Sequence, residues 1–360
     1  STEAPLETNS TGSFNIAVGT GALGRNTTAN HNTAVGYQAG FANTAGINIV
    51  AVGSNALISN TSGGSNVGLG YAALYSNTTG ANNVAVGTTA LQLNTTASGN
   101  TSIGYQSAYS NSTGAANAVL GYQALYSNTT ASNNTAVGYQ AGYSNTTGTN
   151  NVAIGYLALR DNNTDANTAV GMNAAYQTTV SGITAFGSNV LQSTTTGAIN
   201  SAFGGFAPGA YNGAMYSNIT GSQNAAFGSG ALSASTAGNF NAAFGIRSLA
   251  FTTGSNNTAI GRGAGETATT GSNNIFIGHA SAPSTVTVSN EITIGNSSNT
   301  IVRYPHSYST VASLPSAATV GRGSRTFVTD ALTPAFQATV TGGGAVFTPV
   351  YSDGTNWKIG

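Results

Sequence analysis

A run of seventeen residues repeats along nearly the whole chain, and a fixed period of that length decides architecture before any single residue does. Asn133 to Leu159 reads NNTAVGYQAGYSNTTGTNNVAIGYLAL, where NNTAVGYQAG returns as NNVAIGYLAL and Gly138 is answered by Gly155. Aligned on that glycine, copies fall at Gly19, Gly36, Gly53, Gly70, Gly87, Gly104, Gly121, Gly138, Gly155, Gly171, Gly187, Gly204, Gly228, Gly245, Gly261, Gly278 and Gly295. Most intervals are seventeen residues and the rest sixteen, apart from one of twenty-four between Gly204 and Gly228. Such an array grows by stacking, so the 360 residues need not divide into globular domains of ordinary size.

Residues in one column of the repeat lie above one another when copies stack. The column before the glycine is large and apolar throughout, with Val18, Val35, Val137, Ile154, Phe186 and Phe244 among its members. Ala mostly precedes it, and β-branched Thr, Val or Ile is frequent one place earlier, so side chains alternate with the period of two that marks a strand with two faces. The Gly and β-branched content excludes helix. After the glycine comes YQAL or a variant, read as a second short strand, and then SNTTG, whose Asn, Ser and Gly suit a tight corner. Two strands and two corners describe one coil of an all-β parallel solenoid. On this reading the core is the large residue before the glycine plus the Leu after it, and the Ala column is a seam of close approach. Seventeen coils spaced by about 4.8 Å give a rod of roughly 80 Å.

Asn stands four places before the glycine in fourteen copies, Asn134 and Asn151 among them. A stacked amide ladder explains so regular a row better than a ligand row does. The glycines, for example Gly36, Gly53, Gly104, Gly138 and Gly155, fit positions needing positive φ or close backbone approach.

Composition narrows function. Only 4% of residues are charged and the net charge is zero, with no charged side chain between Arg25 and Arg160. That surface offers no basic stripe for nucleic acid. No apolar run is long enough for a membrane helix, and no signal peptide is evident. There is no cysteine to form a disulfide or thiolate site. A start at Ser1 rather than Met is expected for a processed or excised product.

The tandem [NS]-x-A-[VI]-G pattern, as in Asn32 to Gly36 and Asn151 to Gly155, resembles the head repeats of trimeric autotransporter adhesins over about Ser13 to Ser298. The resemblance implies a left-handed β-roll assembled as a homotrimer, with an enlarged corner at SNTTG. A thin core, one large residue and at most one Leu per coil, also favours lateral association.

From Asn299 the repeat stops. The tail holds four of the eight basic residues, four of the seven prolines and the one Trp. Val311 to Ala331 and the closing PVYSDGTNWKIG resemble the C-terminal segment of bacteriophage tail-fibre and virion structural proteins. SDGT reads as a hairpin corner with Asp353 and Gly354 in a type I′ turn. The expected organisation is therefore an N-terminal segment (1–12), a roll array (13–298) and a small C-terminal β domain acting as cap or tip (299–360). Without a heptad stalk or membrane anchor, the combination favours a phage fibre over a complete adhesin.

Candidate sites are few. Tyr105, Tyr122, Tyr139 and Tyr156 make one row and Tyr75, Tyr109, Tyr126, Tyr143 and Tyr176 another, either structural or able to meet sugars. The long interval carries Phe206, Tyr211 and Tyr216, and the tail carries Arg322, Arg325, Tyr351 and Trp357, all candidate receptor contacts. Arg160, Asp161 and Asp165 form one charge cluster, better read as a solvated corner than as a glycosidase pair. His31, His279 and His306 show no ligand spacing. The expected function is that of a phage virion fibre: no enzyme, no cofactor, no metal and no membrane insertion. Its partners would be copies of itself, virion proteins and a host surface glycan or protein. A bacterial surface adhesin or extracellular filament subunit is the alternative.

Overall fold

The computed structural model describes residues 4–205, 212–298, 325–331, 346–352 and 355–359. The chain divides into two compact units, Ser1–Asn296 and Ser297–Gly360. The first is a parallel β-solenoid. Seventeen three-residue strands, from β1 (Ile16–Val18) to β17 (Ile292–Ile294), form one sheet in chain order. Equivalent residues pair, Ala136 with Ala153 and Val137 with Ile154. Backbone bonds from Leu6 to Ala22 and from Ser10 to Thr27 carry the coil register ahead of residue 13.

Each coil holds one strand, not the two expected. The YQAL segment is a turn in which alternate residues have positive φ, as at Gln123 (51°) and Leu125 (52°). Each such residue costs roughly 1–2 kcal/mol relative to the right-handed region. In return its N–H reaches a neighbouring coil: Gln123 donates back to Tyr105 O at 2.9 Å and Leu125 donates forward to Ala141 O at 2.9 Å. The non-β half of the coil is thus bonded between layers like a sheet.

The motif glycine meets both demands placed on it. Gly138 has φ 131°, and a Cβ there would lie 2.4 Å from Gly155 O on the next coil.

The strand faces are opposite to the expected core. Ala34, Ala51, Ala136 and Ala153 point inward and are buried, while the large residues Val137 and Ile154 point outward, Ile154 remaining 37% exposed. The reason is width. The inward Ala column faces the Leu column across the coil interior, where Leu57, Leu74, Leu125 and Leu159 are buried. A Cβ on Gly68, in the Ala column, would already touch Leu57 Cδ1 at 3.4 Å.

Size is conserved across that gap. Where Gly40 replaces Leu, Ile49 replaces the column Asn and sits 3.5 Å from a Cβ built on Gly40. Where Gly265 replaces Leu, Phe276 replaces Ala and fills the space. Gly142 has no such compensation, and a cavity of about 10 Å³ lies between it, Leu125, Ala136, Ala153 and Leu159. Two substitutions in one column should therefore differ in sign. Ala136→Leu, between Leu125 and Gly142, adds more volume than that small cavity holds and is expected to destabilise by about 1–3 kcal/mol through overpacking. Ala153→Val, facing Gly142, should be neutral or stabilising by up to about 1 kcal/mol. Thr135→Val lies outside the core and should be nearly neutral. Urea denaturation of the three variants checks the assignment, and equal losses at Ala136 and Ala153 would refute it.

Two asparagine columns lock successive coils. In the first, Asn134 Oδ1 accepts the Asn151 backbone N–H at 2.9 Å, and Asn134 Nδ2 donates to Gly148 O at 3.0 Å. This ladder is mainly side chain to backbone, where sequence alone implied amide on amide; Asn117, Asn224 and Asn257 add amide-on-amide bonds to Asn100, Asn200 and Asn241. The amide-on-amide ladder lies in the second column, the Asn of SNTTG. Asn9, Asn26, Asn43, Asn60, Asn77, Asn94, Asn111 and Asn128 bond in unbroken succession, at distances from 2.6 to 3.2 Å. Almost all of these side chains are fully buried, so their mutual bonds remove an otherwise large desolvation cost.

The corner amide bonds end at Asn128, and beyond it one joint, between β11 (Thr184–Phe186) and β12 (Ser201–Phe203), lacks the first-column bond as well. Ile183 replaces the first-column Asn, and Thr178 and Thr194 replace the corner Asn on the two adjoining coils. The hydroxyls of Thr178 and Thr194 are buried without a hydrogen-bond partner. At Ile49, the other apolar break, the corner bonds from Asn43 through Asn77 continue.

At the far end Glu291 occupies the first-column place. Its carboxylate accepts from Ser284 Oγ, from Ser284 N at 3.0 Å and from Thr293 Oγ1 at 2.7 Å. These bonds, Ser284 foremost, hold its pKa below the ordinary glutamate value. Because the folded pKa is the lower one, the contribution is complete above the unfolded value and is lost as pH falls through the folded value. Amide exchange at Ile292–Ile294 should accelerate in that acid window in wild type, and Glu291→Gln should abolish this pH dependence.

The second unit contains three antiparallel strands, β18 (Arg325–Ala331), β19 (Val346–Ser352) and β20 (Trp357–Ile359). Ser352 pairs with Trp357, so β19 and β20 form a hairpin around the SDGT stretch. Asp353 and Gly354, the expected turn, lie outside the described residues, as does most of Val311 to Ala331.

Candidate functional site

The solenoid presents one continuous outward sheet face. Strand alternation sends the first and third residues of each strand to this face and the Ala between them inward. Two columns, apolar or β-branched at every rung except Ser201 and about 6.7 Å apart, therefore run the length of the array. Thr135 and Val137, Val152 and Ile154, and Ala242 and Phe244 are three of the seventeen rungs. Toward the C-terminal end the column becomes a stack of Phe186, Phe203, Phe227 and Phe244, with ring centroids 4.7 to 5.0 Å apart. No charged side chain interrupts either column. An exposed apolar stripe of that length is a candidate interaction surface.

The tyrosine rows are stacks too. Tyr105, Tyr122, Tyr139 and Tyr156 lie 5.1 to 5.3 Å apart, and Tyr109, Tyr126 and Tyr143 lie 5.1 and 5.2 Å apart. Beside the first row, Gln140 donates to Gln123 and Gln123 to Gln106 at 2.9 and 2.8 Å. Interior rings have neighbours over both faces, so a sugar would meet ring edges and hydroxyls, not the faces that stacking on carbohydrate requires. Burial, with Tyr109, Tyr143 and Tyr105 close by, raises the Tyr126 hydroxyl pKa above the ordinary tyrosine value.

Arg160 extends the second row. Its guanidinium lies 5.4 Å from the Tyr143 ring and 5.6 Å from that of Tyr176, filling a tyrosine place with a planar cation. It also pairs with Asp161 at 2.6 Å. Asp165 accepts from Thr149 N and Oγ1 at 2.6 and 3.0 Å. The charge cluster thus braces a shortened corner. His31 stacks on Phe14 at 4.9 Å, His279 contacts Arg262 at 3.1 Å, and His306 lies outside the described residues. Among the described residues no three His, Cys, Asp or Glu side chains are grouped to hold a metal. Among them, too, no helix is long and apolar enough to cross a membrane.

Of the candidate receptor contacts, Phe206, Tyr211 and Arg322 lie outside the described residues. Tyr216 returns to the tyrosine row, half-buried, after Met215 has refilled the leucine column. The inserted stretch leaves at Gly205 and rejoins by Asn212, its closure marked by the Ala214 N to Gly204 O bond at 3.1 Å. In the second unit Arg325 is paired with Tyr351 across β18 and β19, and Tyr351 is one place from the rung of Trp357.

The fold and these surfaces define a parallel β-solenoid repeat protein. Compared with known proteins, the sequence matches no protein-family model and no curated relative.

Proposed function

We propose that this chain is a homotrimeric structural fibre protein of a phage virion. Its solenoid is a rigid spacer, and its C-terminal unit is the trimerisation or host-recognition tip. The observation that carries the reading is the outward apolar face. A ladder of apolar rungs is matched best by another ladder of the same rung spacing, and a further copy of the chain supplies one. Seventeen rungs of uncharged side chain suit a lasting contact rather than an exchangeable one. The unvarying shaft and the non-repeating C-terminal unit divide the labour: reach in one, specificity in the other.

Immunogold labelling with antibody against the solenoid tests the location. Label on tail or capsid fibres of a particle supports the proposal, and label confined to a bacterial envelope transfers the chain to the adhesin alternative. Recognition is tested by competition with intact particles for host cells. Trp357→Ala and Tyr351→Ala in a trimeric protein should lose it. Undiminished competition moves recognition to the shaft, where the insertion around Phe206 and Tyr211 is the next segment to delete.

A further inference from the structure

Near the C-terminal end of the solenoid the column after the motif glycine changes character. It carries Tyr105, Tyr122, Tyr139 and Tyr156 in mid-array but Ile246, Arg262 and His279 on three successive coils here. One place further on, Arg247, Gly263 and Ala280 follow in register. Gly263 has no side chain to fill its layer, so a notch of about 110 Å³ opens between Arg247 above and Ala280 below. Ile246 forms part of its wall.

The polar groups around this notch are unequal. Glu266 pairs with Arg247, and its Oε2 lies over Gly263, 3.2 Å from where a Cβ would stand. Among the described residues Arg262 has no carboxylate partner; its Nη1 lies 3.1 Å from His279 Nε2. A guanidinium only donates, so Nε2 accepts and the neutral ring carries its proton on Nδ1. Two guanidinium charges against one carboxylate leave the notch net positive in a shaft otherwise almost free of charge. Arg262 keeps most of its five donors for another acceptor, held in place by His279.

We infer that this notch binds a carboxylate. The planar fork of Arg262 takes its two oxygens, His279 holds the fork in place, and the Glu266 oxygens accept from hydroxyls on the ligand body. The carboxylate recognised is that of a small organic acid or of an acidic sugar residue. Side-on pairing with a planar anion is what arginine does better than lysine. A hydroxylated acid would use both the donors and the acceptor that the notch offers, against the apolar wall of Ile246.

The full chain contains three histidines, which makes the His279 ring resonances easy to identify by NMR, with His279→Gln as the assignment control. The probes are sodium acetate, sodium glucuronate, methyl glucoside and inorganic phosphate. Saturable shifts of the His279 signals with acetate and glucuronate, and none with methyl glucoside, are expected. Tighter binding of glucuronate identifies the acidic sugar as the source; equal binding identifies the bare organic acid. In Arg262→Gln the affinity should fall at least about tenfold, with Arg262→Lys between the two and Arg25→Gln unchanged. Absence of saturation up to about 50 mM overturns the inference, since weaker binding is not a built site. Shifts that persist in Arg262→Gln, or phosphate binding more tightly than acetate, also overturn it. Arg262 is a surface residue and strand spectra confirm that each variant is folded.

Discussion

Aspartate at both Val137 and Ile154 is expected to turn the proposed trimer into separate, folded chains. The two side chains are adjacent on the outward face, where the single coil leaves them partly exposed, so within one chain the carboxylates remain hydrated. In a trimer sealed through that face each would be taken out of water without a partner, at a cost of several kcal/mol apiece. Native mass spectrometry reads the association and far-UV circular dichroism reads the strands. A trimer that survives both substitutions removes this face from the assembly. Loss of strand signal by monomer and trimer alike would return Val137 and Ile154 to the core.

Gly138→Ala should be the most damaging single methyl in the array. Its φ of 131° is a conformation that L residues rarely adopt, and the new Cβ would stand 2.4 Å from Gly155 O, a backbone atom with no freedom to retreat. The expected loss is about 3 kcal/mol or more. Gly142→Ala, in the same coil, is the control. Its φ is 63°, alanine already occupies the same column at Ala108 and Ala175, and the nearest atom is the end of Leu125 at 3.3 Å. That change should stay within about 1 kcal/mol of wild type. Equal effects in denaturant would show that coil-to-coil backbone approach does not dictate the motif glycine.

Much of this architecture is visible in the order of residues, and the part that is not has a physical reason. The spacing of the motif glycines forces stacked coils in register, and the pairing of Ala136 with Ala153 follows from it. Alternation of large and small residues reveals a strand but not which side is inside, because period two is symmetric between faces. Only the width set by the opposing Leu column places Ala136 inward and Val137 outward. YQAL was misread as a strand because left-handed φ at Gln123 and Leu125 runs against the propensity of both residues. It is stabilised by bonds between coils, which no local pattern displays. The corner ladder from Asn9 to Asn128 was also missed: SNTTG has the composition of a solvated turn, and burial of its Asn depends on the coil closing above and below. The Arg262 notch is built from residues on successive coils, which only stacking brings together. In the linear sequence Arg247, Arg262, Glu266 and His279 look scattered.

A shaft that must carry load fails where its layers are least sewn together. At the joint between β11 and β12 the first asparagine ladder lapses at Ile183, and the corner amide bonds, which end at Asn128, do not replace it; the Phe186–Phe203 ring contact lies on the outer side. Pulled from its ends, the solenoid should part there before anywhere else, the corner side gaping first and the aromatic side serving as the pivot. The coils before β11 and those after β12 would then separate as two intact blocks. Optical-tweezer traces should show an early, discrete yielding step, and Ile183→Asn, by restoring a first-column acceptor for the Asn200 backbone N–H, should shift that step to higher force. A first rupture at either end of the array would locate the weak layer elsewhere. Ile183, interrupting the first ladder beyond the last corner amide bond, would make this joint a mechanical fuse, set about two-thirds of the way along the rod.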